Sequence, residues 1–310
     1  MDFSRISNVV RKMDELKNKE KFYHRSHCPI CSSEDKIILL SRDFTHPSIW
    51  EFLDNYYHGK IKIDDLLGVN FEIFECKNCS FIWQANILND AFMDKLYGEW
   101  IDSRESFLKK KHANKELFIR YANEVKKIVS FFKKKPFEIK VFDFGMGWGY
   151  WCQMAKAFGC DVMGLEASQE RIDFARKNGI RIISNLEEMP KNTLDFINIE
   201  HVFEHITNPL EVLKELQELL NDGGIIKISV PNGWKIKRNI MKDNWHATKD
   251  ALHPLEHINC FTNKTLIKLA HAVGLQLMWQ PLFFARPINF KSIVKLIFSR
   301  WIGTTLYFKK

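Results

Sequence analysis

The chain has 310 residues, of which 45% are hydrophobic and 27% are charged, and its formal net charge is +8. This balance is that of a globular protein with a buried core, and the length allows one α/β domain with a smaller addition. The first 25 residues are charged throughout and contain no apolar signal segment, and no run of about 18 apolar residues predicts a membrane-spanning helix. We therefore expect a cytoplasmic protein.

Two pairs of cysteines mark the N-terminal segment, which we delimit as residues 1–88. Cys28 and Cys31 form one C-x-x-C pair, and Cys76 and Cys79 form a second one. Four thiolates in two such pairs suit a tetrahedral Zn²⁺, and a closed four-thiolate shell leaves no open position for catalysis. Disulfides are the less favoured interpretation in a reducing cytosol. The sequence therefore predicts a structural zinc that stabilises a small module.

Residues 89–136 form a connecting segment. Apolar side chains recur there at helical spacing among many charges, at Phe118, Tyr121, Val125, Ile128, Val129 and Phe132. This pattern predicts a long amphipathic helix that leads into the first strand of the next domain. Lysine triplets at 109–111 and 133–135 would suit phosphate binding, although a solvated helix face is the more common reason for such runs.

Residues 137–282 alternate between apolar strands and amphipathic helices. We expect five strands in this domain, at residues 140–143, 161–166, 180–184, 194–199 and 224–230. Strands and helices that alternate in this way predict an α/β fold, a doubly wound parallel sheet with helices on both faces. Ligands of such sheets bind at the carboxyl ends of the strands.

The first of these strands runs into a glycine-rich turn. Asp143 is followed by Gly145, Gly147 and Gly149, which alternate with larger residues. Such a turn lets the backbone come close to a bound cofactor. The dinucleotide fingerprint G-x-G-x-x-G would need a glycine at the position of Tyr150, and the Gly-Lys-Ser/Thr of a P-loop is absent from the sequence. The segment resembles the first motif of class I S-adenosylmethionine-dependent methyltransferases, D/E-x-G-x-G-x-G, whose sheet is Rossmann-like.

The resemblance implies that S-adenosylmethionine is the cofactor and that the glycine turn passes under its methionine and ribose. Glu166 ends the second strand, about 20 residues after the turn, where an acid can take both ribose hydroxyls. Asn185 stands where this family usually hydrogen-bonds the adenine. Glu200 ends the fourth strand and is a further candidate for the cofactor site.

A histidine-containing segment follows the fifth strand. It resembles the Tyr-x-Glu-His…Phe-Ser/Thr segment of nucleotide-sugar C-methyltransferases, with Glu256, His257, Phe261 and Thr262 at the matching positions. The tyrosine of that pattern is Pro254 here. The four-cysteine module in front of the methyltransferase core likewise resembles enzymes of bacterial sugar and surface-glycan pathways.

This resemblance implies a methyltransferase of surface polysaccharide biosynthesis that acts on a nucleotide-linked or lipid-linked sugar or a related small acceptor. The departure at Pro254 favours O-methylation over carbon methylation. A hydroxyl must lose its proton during attack, which calls for a base with a pKa near 7. We expect His257 to be that base, oriented by Glu256. His205, which follows the fourth strand where the C-methyltransferases have a histidine, would share the role or bind substrate.

Three other functions remain open. A zinc module and a basic chain also occur in RNA methyltransferases. Nucleic acid is not the expected partner, because RNA base N-methyltransferases often carry Asn/Asp-Pro-Pro-Tyr/Phe after the fourth strand, where this chain has Glu200-His-Val-Phe. A sugar C-methyltransferase and a binding protein without catalysis are the other two, since a fold does not prove an activity.

The C-terminal segment, residues 283–310, is basic. Eight lysines and arginines and no acid follow Glu256 in the sequence. Apolar residues fall on one helical face of this segment, at Phe290, Ile293, Val294, Ile297 and Trp301. A basic amphipathic helix can lie at a membrane surface, which would place the protein at the inner face of the membrane, or it can dock its apolar face on protein.

Overall fold

The computed structural model describes residues 20–101, 115–278 and 304–310. The chain divides into two compact units. Of the described residues, the first unit contains 20–101, 204–207 and 233–262, and the second contains 115–203, 208–232, 263–278 and 304–310.

The first unit is built on antiparallel strands with short helices. A four-stranded sheet has the order β11-β4-β3-β2, and β1 pairs with β5 in a separate two-stranded sheet. The elements are β1 (Phe22–His24), β2 (Lys36–Asp43), α1 (Pro47–Tyr56), β3 (Asn70–Cys76), β4 (Ile82–Gln84), β5 (Asn86–Leu88), α2 (Asp90–Lys95), α7 (Ile236–Ile240) and β11 (Asn259–Cys260). The aromatic insertion between the two cysteine pairs packs as a core: Phe44, Tyr57 and Phe71 are fully buried in it.

Two later segments of the chain belong to this first unit because they share its core and its hydrogen bonds. Ile236, Leu252 and Leu255 are buried in the same hydrophobic cluster as the N-terminal aromatics. The guanidinium of Arg25 donates to the carbonyl oxygens of Gln84 and Ile258 (2.7 Å each) and to Thr207 (3.2 Å), as well as to Asn259 Oδ1 (2.9 Å). The Arg25 side chain thus links the N-terminal segment to three other parts of the chain.

The predicted domain boundaries after residues 88, 136 and 282 follow the order of the chain and remain predictions. The compact units do not follow that order, since 204–207 and 233–262 leave the strand–helix alternation and join the N-terminal unit.

The second unit is the predicted α/β, Rossmann-like sheet, which the structure confirms. Seven strands lie in the order β12-β13-β10-β9-β6-β7-β8, and the five strands from β10 to β8 are parallel. The elements are α3 (Lys115–Phe132), β6 (Lys140–Phe144), α4 (Tyr150–Ala157), β7 (Asp161–Leu165), α5 (Gln169–Lys177), β8 (Arg181–Ile182), β9 (Leu194–Glu200), α6 (Pro209–Leu219), β10 (Leu220–Val230), α8 (Asn263–Ala272), β12 (Gln276–Leu277) and β13 (Thr304–Lys309).

The amphipathic helix of the connecting segment is present as α3. Its apolar face, with Val125 and Ile128 fully buried, packs in one cluster with Val141 of β6 and Phe196 of β9. The lysine triplet at 109–111 lies outside the described residues.

The end of the chain is a strand. β13 pairs antiparallel with β10 from Ile225–Lys309 to Val230–Thr304, and β12 pairs with its other edge. Phe308 is fully buried and Tyr307 nearly so, and because consecutive strand residues point to opposite faces, β13 buries an aromatic side chain on each face of the sheet. The predicted amphipathic helix around residues 290–301 lies outside the described residues, so it stays a prediction. Among the residues that the structure describes, no helix combines the length and the apolar character needed to cross a bilayer.

Candidate functional site

The four predicted zinc ligands come together in the first unit. The sulfur atoms of Cys28, Cys31, Cys76 and Cys79 all lie within 4.8 Å of one another, with 3.4 Å from Cys28 to Cys79 and 3.5 Å from Cys31 to Cys76. All four are thiols and not disulfides. Zinc–sulfur bonds of about 2.3 Å place the sulfurs of a tetrahedral site about 3.8 Å apart. The donor set and its spacing therefore fit a zinc ion.

The two cysteine pairs are held by matching turns. The amide of Ser32 donates to the Cys28 carbonyl, and the amide of Ser80 donates to the Cys76 carbonyl, both at 2.9 Å. Both serines have positive φ, 56° and 65°. Each C-x-x-C pair thus ends in a left-handed residue that turns the chain back and leaves its two sulfurs on the same side.

A hydrogen bond between two of the sulfurs also shifts their pKa values. A hydrogen bond from the Cys28 thiol lowers the pKa of Cys79 to about 5, and the same hydrogen bond, with burial, raises the pKa of Cys28. One sulfur of the cluster is thus already favoured as a thiolate, which is the form that binds metals.

The glycine turn between β6 and α4 has the backbone that only glycine adopts readily. Gly145, Gly147 and Gly149 have φ of 74°, 56° and 70°. A Cβ at Gly145 would overlap the side chain of Val202, whereas a Cβ at Gly147 would meet none of the described atoms within 4 Å. Gly145 therefore lets the turn pack closely against Val202. The open side of Gly147 leaves room for a ligand close to the backbone.

Glu166 lies beside this turn and fixes it. Its Oε2 accepts from the Gly147 amide (2.8 Å), and its Oε1 accepts from the amides of Ala167 and Ser168 (3.1 Å each). Arg171 contributes an ion pair at 3.4 Å. A carboxylate oxygen has about two acceptor positions, so these bonds orient Glu166 and leave one position on Oε2 for a ribose hydroxyl.

Asp143 lies beneath the turn, with only 2% of its surface exposed. Asn198 donates to its Oδ1 at 2.8 Å, and the Cys152 thiol lies 3.5 Å from its Oδ2. Burial raises the pKa of Asp143 to about 7, although both hydrogen bonds oppose the shift. These contacts tie the end of β6 to β9 and α4, so Asp143 positions the turn from below.

Glu200 belongs to a buried charge network at the carboxyl end of β9. Its carboxylate contacts Arg120 at 2.8 Å and Lys227 at 3.2 Å, and Lys227 also contacts Glu124 at 2.7 Å. Burial disfavours the charged form of Glu200, but Lys227 and Arg120 outweigh it, and the pKa is lowered. Lys227 is itself only 2% exposed. Glu200 is therefore a fixed anion at the edge of the sheet where ligands of such folds bind.

Asn185, the predicted adenine contact, is exposed and caps a short turn of helix. Its Oδ1 accepts from the Glu188 amide at 3.1 Å. This bond occupies the carbonyl side of the Asn185 side chain and does not involve its NH₂ group, and the adenine contact stays a prediction.

The predicted catalytic residues all lie in the first unit. The rings of His205 and His257 are 4.9 Å apart in an edge-to-face arrangement, and Glu204 lies beside them. His205 Nδ1 lies 2.9 Å from the Glu256 carbonyl oxygen, and His257 Nδ1 lies 2.7 Å from the Asp250 carbonyl oxygen. Both rings are therefore oriented by backbone oxygens.

Glu256 makes its side-chain bond elsewhere. Its Oε1 accepts from the hydroxyl of Tyr57 at 2.7 Å. Burial, followed by the Glu256 charge, raises the pKa of Tyr57 well above its usual value. The expectation that Glu256 orients His257 stays a prediction, and the contacts found give Glu256 a place in holding Tyr57 and, through its carbonyl, His205.

A third histidine completes a row of rings. His253 is fully buried, and its ring lies 4.2 Å from that of His257. Burial and then the neighbouring His257 lower the pKa of His253 to about 2, so it stays neutral and acts as a packing partner.

Sequence reasoning missed several of these groups. Only its position next to His205 in the sequence marked Glu204 as a candidate site residue. Lys227 is a lone cation in the apolar run of β10, which is itself a sign of a buried ion pair. Nothing in the local sequence pointed to Asn198 or Tyr57, which become visible only through their contacts with Asp143 and Glu256.

Known proteins resemble parts of this chain. A family profile described as a methyltransferase domain matches residues 111–280, more than half of the chain. A ubiquinone biosynthesis O-methyltransferase of Pelagibacter ubique is 32% identical over 152 residues, which are 44% of this chain and 62% of that protein. The protein of the same name from Aliivibrio fischeri is 27% identical over 103 residues, 30% of this chain and 44% of that protein. The chain therefore spans only about half of the length of these relatives.

A solved structure of an S-adenosylmethionine-dependent methyltransferase from Archaeoglobus fulgidus superimposes with a TM-score of 0.41 at 16% identity. The superposition covers 67% of this chain and 100% of the Archaeoglobus fulgidus chain.

Proposed function

The chain belongs to the methyltransferase-domain family, and from that premise we propose that it transfers the methyl group of S-adenosylmethionine to a hydroxyl of a sugar or a related small acceptor. The observation that carries the proposal is the glycine turn with Glu166 bonded to it. Its three left-handed glycines, the open side of Gly147 and the oriented carboxylate form a site for a ribose and its methionine chain.

We propose oxygen as the acceptor atom. Two relatives bear the name of O-methyltransferases, which supports this choice. The four-cysteine module and the Glu256-His257 segment support a sugar, through their likeness to enzymes of surface-glycan pathways. A nucleotide-linked or lipid-linked sugar of surface polysaccharide biosynthesis, methylated in the cytoplasm or at the inner face of the membrane, is the acceptor that combines both.

The chemistry asks little of the protein. When bound, S-adenosylmethionine supplies a methyl group that its positive sulfur has already activated. The protein must hold the acceptor hydroxyl in line with that methyl group and take up the hydroxyl proton. In a neutral His257 ring whose Nδ1 donates to the Asp250 carbonyl, Nε2 carries the lone pair, and that atom would receive the proton.

We propose further that the cysteine cluster holds one structural zinc. The four sulfurs join the end of β3 and the turn after it to the segment before β2. A closed thiolate shell has no open position, so the zinc stabilises the first unit and takes no part in methyl transfer.

Binding and acceptor assays test this function in order. Calorimetric titration should show that the purified protein binds S-adenosylmethionine and S-adenosylhomocysteine. Radiolabelled S-adenosylmethionine should then label nucleotide-linked sugars or lipid-linked glycans, with total RNA as the parallel substrate. Absence of cofactor binding would overturn the proposal, and label in RNA alone would replace the sugar with an RNA acceptor.

A further inference from the structure

Glu204, His205 and His257 stand close enough to share one cation. One ligand atom from each lies within 4.8 Å of the other two, and His205 Nε2 is 4.0 Å from Glu204 Oε1. Bonds of about 2.1 Å place two ligand atoms about 3.4 Å apart in a tetrahedral site and about 4.2 Å apart when they are opposite in an octahedral one. The distance from His205 to Glu204 lies between these values, so small side-chain rotations close the site.

The orientation of both imidazoles is the second observation. Each Nδ1 faces a backbone carbonyl oxygen, that of Glu256 for His205 and that of Asp250 for His257, at 2.9 and 2.7 Å. A carbonyl oxygen only accepts, so each Nδ1 carries the proton and each Nε2 carries the lone pair. Histidines that ligate metals show this arrangement, in which the outer nitrogen donates to a carbonyl and fixes the ring.

The surroundings allow a cation to enter. The Glu204 side chain is only 1% exposed, whereas that of His205 is 22% exposed, so the cluster has a buried anionic side and an open side. Two imidazoles and one carboxylate leave coordination positions for water or for an oxygen of a ligand.

We infer that Glu204, His205 and His257 form a second metal site, which binds a divalent transition-metal ion through two Nε2 atoms and one carboxylate oxygen and keeps open positions for oxygen ligands. The site differs from the cysteine cluster in every ligand. It goes beyond the proposed function, because a cation bound here takes the lone pair of His257. An acceptor hydroxyl that coordinates the ion then loses its proton to water more readily, and His257 holds the metal instead of receiving that proton.

Zinc stoichiometry tests the site without any assay of activity. The purified full chain, dialysed against Zn²⁺ and analysed by mass spectrometry, should contain about two ions per chain. His257→Ala and Glu204→Gln should each retain one ion and bind the other more than about 100-fold more weakly, beyond the usual loss for an outer-shell partner. The matched control is His271→Ala, at an exposed histidine of α8, and it should retain both ions. One ion in the wild type, or two in His257→Ala, would overturn the inference.

The ion that remains in the variants serves as the control for folding. The cysteine cluster lies in the same unit as the histidines, so a variant that retains its first zinc has kept that unit folded.

A Co²⁺ titration of the wild type tests the second metal site without any variant. Thiolate ligands give Co²⁺ an intense near-ultraviolet charge-transfer band, and imidazole and carboxylate ligands do not. The first equivalent should therefore produce that band, and a second should add only weak visible bands. A second equivalent that adds thiolate absorption, or does not bind, would overturn the inference. Calorimetry with S-adenosylmethionine on the same samples separates this result from failure of the proposed function, because the glycine turn lies in the other unit.

Discussion

The two units of this protein build their candidate sites in different ways. In the second unit, Gly145, Gly147, Gly149 and Glu166 come from one continuous stretch of strand, turn, helix and strand, and their bonds are mostly between near neighbours in sequence. In the first unit, the four cysteines and the cluster of Glu204, His205 and His257 each join segments at least 45 residues apart. A site of the first kind depends on backbone conformation, and a site of the second kind depends on whatever holds distant segments together.

Loss of a cysteine ligand should have the largest effect, confined to the first unit. Cys76→Ser opens the four-thiolate shell, and a structural zinc of this kind contributes about 10–16 kcal/mol in small zinc peptides, as much as the whole stability of a typical domain. We expect the loss of one zinc ion and proteolytic sensitivity in residues 20–101. Metal analysis and limited proteolysis measure both.

The control for this variant is Cys260→Ser, at a buried cysteine of the same unit outside the cluster. It should retain its zinc. Full zinc content and an unchanged melting temperature in Cys76→Ser would show that the cysteine cluster holds nothing.

His257→Asn should affect catalysis without affecting the cofactor. Whether His257 accepts a proton or holds a cation, its loss removes the group that assists ionisation of the hydroxyl, and kcat should fall by about 10²–10⁴. The dissociation constant for S-adenosylmethionine should stay within about twofold of the wild type, because the glycine turn belongs to the other unit. Steady-state kinetics and calorimetry measure the two values.

The same substitution at His271, which is exposed on α8, is the control and should leave kcat unchanged. A kcat of His257→Asn within about threefold of the wild type, well short of the loss expected for a general base, would reduce His257 to a structural residue.

Gly145→Val should abolish cofactor binding and leave zinc content intact. The new side chain is strained at φ 74° and overlaps Val202, which together cost about 2–5 kcal/mol in overpacking and left-handed strain. Calorimetry should show at least about a 30-fold loss of affinity, the equivalent of about 2 kcal/mol.

Gly147→Ala tests occupancy of the turn without a steric overlap. Its Cβ has no described neighbour within 4 Å, but the φ of 56° strains any side chain, so the variant should fold and lose only about 1–2 kcal/mol of stability. It should still bind S-adenosylmethionine more weakly, because the added methyl group stands where the ligand approaches. Wild-type affinity for S-adenosylmethionine in both glycine variants would show that the cofactor does not bind at this turn.

The last expected effect is a gradual pH dependence of stability that comes from Asp143 in the second unit. The folded protein holds this proton up to about pH 7, whereas an unfolded aspartate loses it near about pH 3.9. Between these values the folded state binds more protons, so the free energy of unfolding falls as pH rises, by up to about 1.4 kcal/mol per pH unit, and levels off above pH 7.

Asp143→Asn should lack this slope. Urea unfolding of wild type and variant at pH 5, 6, 7 and 8 measures the difference in stability, which should change in favour of the variant as the pH rises to 7. The control is Asp173→Asn, at an exposed aspartate of α5. A difference between Asp143→Asn and wild type that stays constant over this range would mean that Asp143 is ionised in the folded protein.

The sequence by itself determined the features that depend on near neighbours. The alternation of apolar and amphipathic segments predicted β6, β7, β9 and β10 and the helices α5 and α6, because side-chain periodicity follows directly from strand and helix geometry. The glycine turn was readable for the same reason, since its left-handed backbone restricts three positions to glycine. The cysteine pairs were readable because sulfur ligands repeat at a fixed spacing.

Only the tertiary structure decided which distant groups meet. Periodicity gives the face of an element and not its partner, so the sequence did not show that β13 pairs with β10 or that 233–262 packs on the N-terminal aromatics. It proposed His257 and His205 as a pair, but not the carbonyls of Asp250 and Glu256 that orient their rings. Every residue offers such a carbonyl, so no side-chain pattern marks these two, and only the folded chain brings them to the imidazoles.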